Sequence, residues 1–61
     1  MSDQMKELER LYITLDNRFM YLEEEVMGNQ NQDLIEIYIS DYRETLKDIN
    51  KILREMNSKY E

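Results

Sequence analysis

The chain contains no cysteine, no histidine, no proline and no tryptophan, and only one glycine. Without cysteine there is no disulfide framework and no thiolate for nucleophilic or redox chemistry. Without histidine the commonest general base and metal ligand is missing. Without proline nothing interrupts a helix from within. No apolar run comes near the ~20 residues needed to cross a bilayer, and no signal-peptide pattern opens the chain, so a cytoplasmic location is expected. Basic residues are scarce, 8 against 14 acidic ones, for a net charge of -6. That balance argues against sequence-independent binding to nucleic acid and against docking on anionic lipid.

What the sequence does hold is helical pattern. At 61 residues, 41% hydrophobic and 36% charged, it is long enough for one small domain of amphipathic helices. The stretch Gly28-Asn29-Gln30-Asn31-Gln32-Asp33 has no apolar residue and lies at the centre. It predicts a turn over 28–33 between a first helix at about 3–27 and a second at about 34–58. Gly28 is placed to end the first helix in the left-handed conformation that glycine adopts without a Cβ clash. Asp33 and Glu36 have capping-box spacing for the second helix, with Asn29 or Asn31 as alternative caps. Ser2 can cap the first helix, and Lys51, Arg54 and Lys59 sit toward the C-terminal end of the second, where cations complement the helix dipole.

Outward from this turn the apolar residues are mirrored. Val26 matches Ile35, Leu22 matches Ile39, Phe19 matches Tyr42, and Leu15 matches Leu46. Tyr12 matches Ile49, Leu8 matches Leu53, and Met5 matches Met56. Both series step by alternating threes and fours, the spacing of a coiled-coil seam. The sequence therefore predicts an all-α protein, an antiparallel two-helix hairpin whose seam is those fourteen residues. In this register Asp16 approaches Arg43 across the hairpin, while Glu23 meets Glu36 unfavourably.

One narrow seam is marginal for a chain of this size, and further apolar residues lie off it. Leu11, Tyr38 and Ile52 flank the seam on one side and are the expected dimer interface of a homodimeric four-helix bundle. Ile13, Met20 and Met27 recur every seven residues beyond the acidic Glu9, Asp16 and Glu23. They form a candidate partner-binding stripe, in which flexible methionines suit another helix.

Asp41, Glu44 and Asp48 share one surface of the second helix. Metal-binding bundles turn such groups inward, however, and the seam here is apolar or tyrosine. No catalytic constellation, metal site, cofactor motif or small-molecule substrate is expected. The leading expectation is a non-enzymatic interaction protein, a regulator, inhibitor or adaptor of bacterial or phage type that binds a second protein through apolar helix faces. One alternative is nucleic-acid related. It would be either an RNA-binding homodimer using Arg43, Lys47 and Arg54, or an acidic DNA mimic using Glu7, Glu24, Asp41, Glu44 and Asp48. Another is a structural subunit or export chaperone.

Overall fold

The computed structural model describes residues 3–58, which form two α-helices, α1 (Asp3–Met27) and α2 (Gln32–Ser58). Ser2, Lys59 and Tyr60 lie outside the described residues. No strand occurs among the described residues. The helices pack antiparallel into a slab of 46 × 18 × 12 Å. Gln4 near one end donates to Glu55 near the other, 3.4 Å, and Tyr21 near the turn meets Tyr38.

The turn is shorter than the polar stretch, because α2 begins at Gln32. Asn31 is the cap. Its side-chain oxygen accepts from the Leu34 N–H at 3.2 Å, and its carbonyl accepts from the Ile35 N–H at 2.9 Å. Asp33 thus stands inside the first turn of α2, where its charge faces the positive end of the dipole, and does not cap the helix. The Asn31 N–H in turn donates to the Glu25 carboxylate, 3.2 Å, so one acid of the Glu23–Glu25 run ties the end of α1 to the start of α2.

Gly28 does not take the left-handed conformation. That role falls to Gln30, at φ 55°, whose N–H reaches back to the Glu25 carbonyl at 2.8 Å. Glycine is needed at 28 for a different reason. Its N–H bonds the Glu24 carbonyl, and a Cβ there would lie 2.8 Å from that same oxygen.

The seam is displaced by one residue step from the mirror read in the sequence. The covered residues of α1 recur at Gln4, Leu8, Leu11, Leu15, Arg18, Leu22 and Glu25, with Glu7 and Thr14 half-buried beside them. Those of α2 recur at Ile35, Tyr38, Tyr42, Thr45, Ile49, Ile52 and Met56, with Leu46 half-buried beside them. The mirror centre thereby moves onto Gln30. Leu8, Leu15, Leu22, Ile35, Tyr42, Ile49 and Met56 keep the places the sequence gives them. Met5, Tyr12, Phe19, Val26, Ile39 and Leu53 do not, and lie exposed along one edge.

The physical reason is that the apolar stripe is three rows wide, whereas two helices in contact cover about two. The inner rows share the Leu8–Leu15–Leu22 line, and either neighbouring row can complete the seam. The structure buries Leu11 (6% exposed) beside Leu8 and Ile49, packed by Leu15, Ile52 and Met56. Farther along it places Thr45 opposite Arg18. Thr45 is 1% exposed; its hydroxyl donates to the Asp41 carbonyl at 3.1 Å and accepts from the Arg18 guanidinium. Arg18 also donates to the Asp41 carbonyl at 2.9 Å. A small side chain at 45 lets the helices approach, and these bonds satisfy the polar groups enclosed there. The bulky Tyr12 and Phe19 are left at the rim, where a tyrosine hydroxyl stays hydrated.

Candidate interaction surface

Seven residues one heptad apart lie just outside the seam on one side: Met5, Tyr12, Phe19 and Val26 from α1, and Ile39, Leu46 and Leu53 from α2. They form a continuous apolar face along the length of the hairpin. Tyr12 and Phe19 are 47% and 48% exposed. Phe19 keeps one edge against the seam through Tyr42, with ring centroids 6.0 Å apart and planes tilted by 51°. The opposite side of the seam is more polar: Glu7 and Thr14 from α1, and Asp41, Asp48 and Glu55 from α2, interrupted by Leu34 and by the stacked pair Tyr21–Tyr38 at 6.2 Å.

The apolar face has a purely acidic border on α1 and a mixed one on α2. Along α1 it is edged by Glu9, Asp16 and Glu23, all exposed. Along α2 the equivalent row is exposed Glu36, Arg43 and Asn50, while Lys47 and Arg54 stand one row farther out, level with Ile13 and Met20 on α1. The expected approach of Asp16 to Arg43 does not occur, because in the displaced register both side chains point outward from the seam. The ion pair present among the described residues is Glu7–Arg10, within α1. Its hydrogen bond holds the Glu7 carboxyl below the usual carboxylate range and raises the Arg10 guanidinium.

The three residues expected to make a dimer interface, Leu11, Tyr38 and Ile52, are in the hairpin seam: Leu11 buried, the other two half-buried. They are taken up by the chain's own packing, and the surface left over is the seven-residue face on the other side. Ile13, Met20 and Met27 stand on the outer side of α1, opposite the seam, and Met27 is 78% exposed. Glu9, Asp16 and Glu23 separate them from the apolar face, as the sequence spacing implies.

A shallow hollow on α2 is lined by Lys47, Asn50, Lys51, Arg54 and Glu55, gathering three cations beside one acid. Asp41, Glu44 and Asp48 are not drawn together: among the described residues, no group of three or more acidic side chains is placed to hold a metal ion. No helix is long and apolar enough to cross a membrane among the described residues.

Arg18, Thr45 and Glu25 carry structural roles that the apolar pattern could not signal, since each is polar at a position that packing makes inward. Comparison with known proteins gives no match: no family model, no curated protein and no solved structure is similar enough to assign the chain.

Proposed function

We propose that this chain is a non-enzymatic protein-interaction module that binds through the face of Met5, Tyr12, Phe19, Val26, Ile39, Leu46 and Leu53. The observation that carries this reading is the continuity of that face. Scattered surface hydrophobes are ordinary, but a row running the length of both helices with charged borders is the anatomy of a buried contact. Tyrosine, phenylalanine and methionine are also the side chains that interfaces favour. The outer stripe of Ile13, Met20 and Met27 offers a second, separate contact for the regulator or adaptor role.

The test places a photo-cross-linking benzoylphenylalanine at Tyr12, and separately at Asn17 as an exposed control away from the face, in cells that express the protein. Adducts with a polypeptide from position 12 and not from 17 are the expected result. No polypeptide adduct from position 12, or equal adducts from both, overturns the reading.

A second reading is favoured by one feature, the hollow lined by Lys47, Lys51 and Arg54. Nucleic acid held there would show steep loss of binding with salt. The net charge of -6 and Glu55 within the hollow weigh against it. A gel-shift series with no retention at low salt removes it.

A further inference from the structure

Resting on that reading, we infer that the occupant of the apolar face is a second copy of this chain, set so that α1 of each copy lies against α2 of the other. Two observations carry it.

The first is area. A compact monomer of this mass exposes on the order of 4,300 Å², whereas this hairpin exposes 5,190 Å². The excess is about 900 Å², close to the ~800 Å² that each partner contributes to a standard protein interface. A single hairpin thus leaves uncovered about what one more copy would cover.

The second is the pattern of charge around the face. Glu9, Asp16 and Glu23 border it on α1, and Glu36, Arg43 and Asn50 border it on α2, none of them in an ion pair within the hairpin among the described residues. Two copies placed face to face can be related by a two-fold axis that lies in the contact plane. If the axis runs across the helices, α1 covers α1 and three acids meet three acids. If it runs along the helices, α1 covers the partner's α2 and Asp16 meets Arg43, twice by symmetry, which offsets Glu23 beside Glu36 and leaves Glu9 beside the neutral Asn50.

Height along the hairpin agrees with the second choice. Asp16 and Arg43 lie at nearly the same level about the mirror centre at Gln30. The product is a four-helix bundle in which neighbouring helices are antiparallel. Exposed ion pairs add little affinity, so the charges select the arrangement and the apolar face supplies the binding. Ile13, Met20 and Met27 remain on the outside of this bundle, free for a different protein.

The experiment is sedimentation equilibrium of the purified chain at about 50 μM, above the micromolar range reached by weak interfaces of this size. The expected species has twice the 7.6 kDa chain mass. Phe19→Glu is expected to give the monomer. Asp16→Lys, which leaves the apolar face intact, is expected to weaken association by at least about fivefold, and Asp16→Lys combined with Arg43→Glu to recover it to within about twofold. Circular dichroism on each variant shows whether helix is retained. If Phe19→Glu loses its helix, the charge-swap pair alone decides.

A wild-type monomer overturns the inference, and so does a dimer that Asp16→Lys tightens, because that dimer sets α1 on α1. A monomer that still cross-links from position 12 to a different polypeptide overturns the second copy but leaves the protein-binding reading standing. No adduct of any kind ends both.

Discussion

Replacing Leu11 by alanine separates the observed seam from the one read in the sequence. Leu11 is 6% exposed and packs with Leu8 and Ile49. A buried leucine truncated to alanine costs about 2–5 kcal/mol, depending on how far the surroundings close over the gap. The slab is only 12 Å thick, so water and neighbouring side chains can reach the gap, and the lower part of that range, about 2–3 kcal/mol, applies. A domain of this length holds only about 3–9 kcal/mol in total. Leu11→Ala is therefore expected to remove about a fifth of the stability or more. With an m-value of about 1 kcal/mol/M, the urea midpoint falls by about 2–3 M. Helical circular dichroism during urea titration, at one fixed protein concentration, reads this directly. The control is Met27→Ala, 78% exposed, expected to stay within about 0.5 kcal/mol of the parent. If Leu11→Ala is as mild as Met27→Ala, Leu11 is not in the seam and the register described above is refuted.

Other consequences concern the turn and acid sensitivity. Asn31→Ala removes the side-chain cap of α2 and is expected to cost about 1 kcal/mol in thermal or urea unfolding. Gln30 holds a left-handed φ of 55°. Gln30→Gly relieves that strain against a smaller entropic loss and is expected to raise stability by about 0.5 kcal/mol. By contrast Gly28→Ala, whose Cβ would press on the Glu24 carbonyl, is expected to lower it. The Glu7 carboxyl is held below its usual range mainly by its hydrogen bond to Arg10. A carboxylate depressed in the folded state stabilises above its unfolded value and loses that contribution as pH falls through the folded value. The difference in urea midpoint between the parent and Glu7→Gln is thus expected to be present at pH 7 and to close in strong acid.

The two-helix architecture was readable because it rests on features that survive a small rotation. The polar stretch over 28–33 and the alternating three-and-four spacing on either side hold whichever edge of the stripe faces inward. Half the seam shared the same security: Leu8, Leu15, Leu22, Ile35, Tyr42, Ile49 and Met56 belong to the row common to both registers. Tyr12 and Phe19 were harder, because an aromatic at heptad spacing has the same sequence signature in a seam or beside one.

What decided between them is not apolar at all. Thr45 fits where a leucine such as Leu46 would hold the helices apart, and Arg18 finds its acceptors only across the gap. Polar groups enclosed by packing leave no trace in a hydrophobic pattern. The same displacement moved Leu11, Tyr38 and Ile52 from an expected outer surface into the hairpin. Gly28 shows a related limit: its lack of a Cβ was legible, but close approach to a carbonyl and positive φ demand the same residue.

The side-chain proton contacts of Ile49 test the account most directly, since the binding face exists only if the seam lies where the structure puts it. In a nuclear Overhauser spectrum of the methyl-labelled protein, strong cross-peaks from Ile49 to Leu11 and from Ile52 to Leu8 are expected. Cross-peaks from Ile49 to the Tyr12 ring and from Leu53 to Leu8, with none between Ile49 and Leu11, would put the apolar row inside the hairpin and contradict the account.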